Sequence, residues 1–279
     1  MEKQMKTIKT LLSASIISLS LASVSYADQA MQPMANTQLA QAVASEHRSA
    51  ANKIRDEYRH PQQTLEFFGF NSSMTVVEIT PGGGWYTEIL APALKGKGKL
   101  IGAHYPDTGE DNYYSNSRKN LVKKLASHEM FSEVELSNFV PKKASELAPA
   151  GSADMVLTFR NLHNWGEEGV SQVFIDAFKA LKTGGILGVV EHRLPKGATA
   201  NDMNSGYVSV EKTIAQAEAA GFTFIASSEV NANAKDKASY EKGVWTLPPS
   251  LALKDKDREK YLAIGESDRM TLKFAKVAK

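Results

Sequence analysis

The chain contains no cysteine, so a fold of this size has to be held by its core and not by disulfides. It has no marked surplus of either charge. The 33 lysines and arginines stand against 31 aspartates and glutamates, and no basic stripe runs along the chain. Nucleic-acid binders carry such a surplus or stripe, so nucleic acid is not expected as a partner. A run of about 20 strongly apolar residues, the length needed to span a bilayer, is also missing. No internal repeat is visible. One glycine-rich turn stands out, and two common motifs fail in it. No Gly-Lys-Ser/Thr follows, which excludes a Walker A loop, and the third glycine of the dinucleotide fingerprint is replaced by Thr87.

What is present begins with Lys3, Lys6 and Lys9, an apolar stretch from Leu11 to Val24, and a small-residue site at Ser25-Tyr26-Ala27. This order reads as a secretory signal peptide over 1–27, cleaved after Ala27, with a periplasmic or secreted product. A membrane anchor is the competing reading, but the stretch is short and serine-rich, so no membrane association is expected after cleavage. Loss of three lysines and one glutamate leaves basic and acidic residues in equal number. Residues 28–44, rich in Gln, Ala, Asn and Met, carry no sustained apolar period and read as a flexible leader. Residues 45–279 suffice for a single domain.

Within that domain apolar strands alternate with helical patterns. A polar helix from about Ser45 to Arg59 is expected to end at His60-Pro61, because the residue before proline is pushed out of helical dihedrals. After a first strand ahead of the glycines, strands are expected at Lys99–Ala103, Val134–Phe139, Asp154–Phe159, Ile186–Val190, Thr223–Val230 and Met270–Val277. Helices between them make right-handed parallel crossovers, giving an open, doubly wound α/β sheet whose ligands lie beyond the strand carboxyl ends.

The glycine turn reads Val77-Glu78-Ile79-Thr80-Pro81-Gly82-Gly83-Gly84-Trp85-Tyr86. Glycines let the main chain approach a bound molecule, and the N–H groups of the next helix face it. An acid at the strand end with glycines four and six positions later is similar to motif I of class I S-adenosylmethionine-dependent methyltransferases. Four further segments, 55–61, 159–165, 190–193 and 265–269, extend the likeness over nearly the whole chain after the leader. The chain resembles a family of exported bacterial proteins described as predicted methyltransferases. That resemblance implies a Rossmann-like, seven-stranded methyltransferase sheet, mostly parallel with an antiparallel C-terminal strand, and S-adenosylmethionine as cofactor. It further implies that Glu78 approaches the methionine ammonium and that Gly82, Gly83 and Gly84 pass beneath the methionine and ribose. Arg160 and Thr80, which replaces the first motif glycine, join the same cofactor set. The alternative is a tight turn in which Glu78 caps the following helix. Where such enzymes hold the ribose with an acid after the second strand, this chain has His104, with Asp107 three residues on.

His104, His163 and His192 each follow an expected strand and would face one crevice. Methyl transfer is a single in-line displacement that depends on positioning and needs no covalent nucleophile. His163 is the first candidate base and His192 the second, histidine being the side chain that titrates near neutrality. Asn161 and Asn164 would orient the acceptor. Trp165 either stacks on a ligand or packs in the core. The histidines and Glu191 are suitable metal donors, but no His-x-x-x-His or His-x-Glu spacing exists, and no metal is expected. The segment around Tyr58-Arg59-His60 either closes the site as an N-terminal helical lid or packs with Arg59 in a surface ion pair. Trp245 and Pro248-Pro249 read as structural. The expected function is methyl transfer to a small-molecule acceptor in the periplasm. A non-catalytic binding protein for a nucleoside-like or small polar ligand is the alternative, and the missing glycine disfavours a dinucleotide oxidoreductase. The sequence says nothing of oligomeric state.

Overall fold

The computed structural model describes residues 37–198 and 205–278. The expected signal peptide, and the expected leader up to residue 36, lie outside them. Among the described residues seven strands form one sheet: β1 (Thr75–Ile79), β2 (Lys99–His104), β3 (Glu135–Asn138), β4 (Ala153–Phe159), β5 (Leu181–His192), β6 (Thr223–Ser228) and β7 (Arg269–Ala275). Their order is β3-β2-β1-β4-β5-β7-β6. β1 to β5 run parallel, while β7 pairs antiparallel with both β5 and β6. The expected sheet, mostly parallel with an antiparallel C-terminal strand, is present.

Central strands of such a sheet are covered on both faces and so are apolar without alternation. Val76, Val77 and Ile79 of β1 are all fully buried. The helices are α1 (Thr37–Ala44), α2 (Ala50–Lys53), α3 (Asp56–Arg59), α4 (Pro61–Phe68), α5 (Thr87–Leu94), α6 (Tyr113–Leu125), α7 (Gly166–Ala180), α8 (Val210–Ala219) and α9 (Arg258–Ile264). Val77, Ile79, Val156, Leu187 and Val189 share a core with Phe174 and Ala177 of α7 and Ala217 of α8. On the other face Val76, Met155, Leu157 and Val190 pack with Leu39 of α1, Leu65 and Phe68 of α4, and Ile89 and Leu90 of α5. Strand alternation puts Glu78 on this second face with Val76.

Two expectations change. The polar helix over 45–59 is two short helices, α2 and α3, and His60 adopts a left-handed φ of 39° before α4 starts at Pro61. Proline fits there because its missing N–H would be unpaired in a first helical turn anyway. The last eight leader residues form α1, whose Leu39 and Ala42 are buried. Packing of that short apolar face into the core shared with α5 outweighs a composition that lacks a sustained period. Among the described residues no helix is long and apolar enough to cross a membrane.

Candidate functional site

β1 delivers the chain into a strained turn. Thr80 has a φ of 50° and donates its N–H to Ala103 O at 2.7 Å, while its buried hydroxyl has no partner. Gly82 and Gly84 have φ of 57° and 74°, a region that favours glycine. A Cβ built on Gly82 or Gly83 would meet no atom within 4 Å, so the main chain there is bare. It borders a space of about 250 Å³ walled by Tyr113, Asn116, Ser117 and Asn120 of α6. Gly84 differs: its added Cβ would lie 3.0 Å from Lys124 Cδ and 3.4 Å from Leu121 Cδ1. Trp85 is turned into the N-terminal segment, donating Nε1–H to Asn52 O and lying under the guanidinium groups of Arg48 and Arg59. Tyr86 stacks on Phe159 at 3.5 Å between ring centroids.

A larger cavity of about 330 Å³ opens beyond the ends of β4 and β5, and Tyr113 lines both spaces. Its chemistry is organised by Glu191, which is fully buried. One carboxylate oxygen accepts Leu162 N–H at 2.6 Å; the other accepts His192 N–H at 2.8 Å and His163 Nδ1 at 3.0 Å. A carboxylate only accepts, so His163 carries its proton on Nδ1, leaving Nε2 free to accept one. His192 Nδ1 lies 2.5 Å from Ser267 Oγ, and its ring is 5.3 Å from that of His163. Burial, and then electrostatic repulsion from His163 and from the guanidinium groups of Arg160, Arg269 and Arg59 should His192 take up a proton, push His192 well below the usual histidine range and keep it neutral. Ligand atoms of His163, Glu191 and His192 lie within 4.8 Å of one another. Both oxygens of Glu191 are already committed, so its role is that of a carboxylate orienting a histidine.

The opposite wall is basic. Glu266 accepts from Arg55 Nε at 2.6 Å, Arg59 Nε at 3.1 Å and Arg269 Nη1 at 3.0 Å. Burial pushes the Glu266 carboxyl up, but the guanidinium groups of Arg59, Arg269, Arg55 and Arg160 prevail and hold it at about 2. Arg160 turns in from the end of β4 with a φ of 59°, and burial followed by repulsion from Arg269 lowers it to about 10. Gly265 makes this wall possible, because a Cβ there would sit 2.6 Å from Tyr58 Cε1 of α3.

Several expected site residues come together and others do not. His163, His192, Asn164 and Arg160 line the larger cavity. Gly82 and Gly83 line the smaller one. His104 faces neither: it is fully buried, with Nδ1 3.3 Å from Tyr105 O and Nε2 3.2 Å from Ser117 Oγ. The start of α6 covers the end of β2, so the expected crevice of three histidines holds two. Glu78 accepts the Thr87 hydroxyl at 2.6 Å; burial, opposed by that bond and by Lys124, raises its carboxyl to about 7. Asn161 ties β4 to β1, donating to Ile79 O at 3.1 Å and Thr158 Oγ1 at 3.2 Å. Trp165 is core, donating to Tyr105 Oη at 3.2 Å beside Phe139. Arg59 is buried and not a surface residue. Trp245 and the two prolines line the cavity, with the Trp245 ring 5.9 Å from His163. Their remote place in the chain left no sequence signal of this.

No family model matches the chain, and no curated protein matches it. Solved structures do. An S-adenosylmethionine-dependent methyltransferase from Aquifex aeolicus is 16% identical with a TM-score of 0.55, over 80% of this chain and 93% of that one. The [4+2]-cyclase SpnF is 15% identical with a TM-score of 0.57, over 88% and 94%. The S-adenosylmethionine-dependent methyltransferase SibL is 14% identical with a TM-score of 0.53, over 82% and 57%. Likeness at this identity concerns architecture, and the cyclase shows that more than one chemistry uses it. In strand order and direction, this chain has the Rossmann-like methyltransferase fold.

Proposed function

We propose that the chain is an S-adenosylmethionine-dependent methyltransferase acting on a small-molecule acceptor. The observation that carries this is the bare main chain at Gly82 and Gly83, open to a space that shares Tyr113 with the cavity holding His163. The residues fit the cofactor. Room exists where any Cβ would intrude, and Asn116, Ser117 and Asn120 offer donors and acceptors suited to ribose hydroxyls. When bound, S-adenosylmethionine supplies an electrophilic methyl on a sulfonium. The chain holds the acceptor and takes its proton at His163 Nε2, since Nδ1 is committed to Glu191. Glu191 orients the imidazole and stabilises the imidazolium that forms. Neutral His192 forms a wall without adding a competing charge. Asn164 positions the acceptor, and Trp245 shields His163 from water. Positioning of this kind contributes roughly 7–11 kcal/mol in favourable systems.

A binding protein on the same fold is the second reading. It is favoured by the inward engagement of Glu78 and His104, which leaves two expected cofactor contacts unavailable. Thermal unfolding tests the first reading. S-adenosylmethionine or S-adenosylhomocysteine at ~100 times its Kd should add about 2.7 kcal/mol, a midpoint rise of roughly 5–10 °C for this size. NAD should add nothing. Absence of a rise with both adenosyl ligands refutes the proposal, and methyl loss in the presence of acceptors separates enzyme from binder. The N-terminal pattern extends the proposal to export with cleavage after Ala27; the mass of the secreted or periplasmic product tests that.

A further inference from the structure

We propose that the arginine wall of the larger cavity takes a carboxylate or phosphate group of the acceptor, so that the substrate is a small anion. Calling this anion the acceptor rests on the methyltransferase reading; the anion site itself does not.

Charge count comes first. Arg55, Arg59, Arg160 and Arg269 gather around a single carboxylate, Glu266, whose oxygens already accept three N–H bonds. Three positive charges are left without a counter-charge from this group. Orphaned donors come second. Arg59 is 3% exposed and lines the cavity, yet its Nη1 has no partner. Arg160, on the same cavity, makes no side-chain hydrogen bond or ion pair among the described residues. A buried charged donor is paired in almost every folded protein, so Arg59 Nη1 left open beside the partly exposed, uncommitted Arg160 marks the place of a missing acceptor. Backbone strain comes third. Arg160 holds a φ of 59°, a conformation seldom kept by a non-glycine residue unless its surroundings impose it, and its N–H is tied to Val190 O at 2.7 Å.

Guanidinium groups present planar, paired donors that match carboxylate and phosphate oxygens. The same field repels cations. It argues against a metal between His163 and His192, and it would oppose a sulfonium nearby unless an anion were bound first. The volume of about 330 Å³ suits a small molecule.

Inorganic phosphate and succinate, titrated calorimetrically into the purified protein against chloride at equal ionic strength, test the site. At least one should bind saturably, and Arg160→Gln should weaken it by at least about 10-fold. The unliganded Arg160→Gln protein should melt no lower than the parent, since the change removes repulsion and breaks no bond. Lower melting would make Arg160 a structural residue and overturn the proposal, as would unchanged binding or no binding by the parent protein. Two nucleosides identify the source of the anion. S-adenosylhomocysteine carries a carboxylate and 5′-methylthioadenosine does not. If Arg160→Gln weakens the first and spares the second, the arginines serve the cofactor and the acceptor proposal falls. If both bind as before while phosphate or succinate binding is lost, the proposal stands. A failure of the methyltransferase reading shows itself separately, as no binding of either nucleoside.

Discussion

Gly83→Val separates a ligand-binding turn from a merely tight one. Gly83 lies outside the left-handed region, and a Cβ on it meets nothing within 4 Å. The valine side chain therefore costs the protein little, within about 0.5 kcal/mol or ~1–2 °C. It does, however, project into the 250 Å³ space beside α6 and should abolish the rise of roughly 5–10 °C expected from S-adenosylhomocysteine. Gly84→Val is the contrasting control. Its φ of 74° and the 3.0 Å approach to Lys124 Cδ combine left-handed strain with overpacking. Together these cost roughly 2–5 kcal/mol, or about 4–20 °C. Differential scanning fluorimetry of both variants, with and without ligand, reads all four values. The reasoning fails if Gly83→Val keeps the full ligand-induced rise, or if it melts as low as Gly84→Val without ligand.

Three carboxylates give further tests. Glu78 has a folded pKa of about 7, above its ordinary 4.5, so the stability from its protonated form is complete below about 4.5 and is lost as pH rises through 7. Glu78→Gln, which keeps an acceptor for Thr87, should therefore raise stability at pH 8 by up to about 3 kcal/mol and change little at pH 4; equal differences at both pH values in thermal melts would contradict this. Glu266, held at about 2, contributes above about 4.5 and loses that contribution as pH falls towards 2. Glu266→Gln should cost about 3–5 kcal/mol at pH 7 in a urea titration, with the gap closing below pH 4.5; a gap independent of pH would count against the cluster. In Glu191→Gln the new NH₂ must face one of three N–H donors, a loss of roughly 1–3 kcal/mol. Turnover should fall further as His163 loses its orientation, and a variant that melts and reacts like the parent would remove Glu191 from the account.

The sheet was legible because the buried part of each central strand is a short apolar run; β5 differs most from the expected Ile186–Val190, since it starts at Leu181 and runs through the exposed residues 182–184 to His192. β1 is an example of such a run: burial on both faces leaves no alternation to misread. The glycine turn was legible for a similar local reason. The arginine wall was not, since Arg55 and Glu266 stand 211 residues apart and nothing near either one signals the other. Trp245 meets His163 across 82 residues, again with no local signal at either position. His104 shows the limit of the strand-end rule. Its position was inferred correctly, but a serine one turn into α6 captures its ring. Trp165 could be core or ligand platform until the short helical turn at Leu162–Asn164 was seen to aim it at Phe139 and Tyr105.

Because β7 runs against its neighbours, its amino end arrives where the parallel strands finish, and Glu266 reaches Arg55 and Arg59 from nearly the far end of the chain. Arg55 and Arg59, more than 200 residues earlier, have their counter-ion delivered by this antiparallel strand. The basic wall therefore closes only when the segment leading into β7 is in place, so the cavity is shaped by residues from both ends of the described fold.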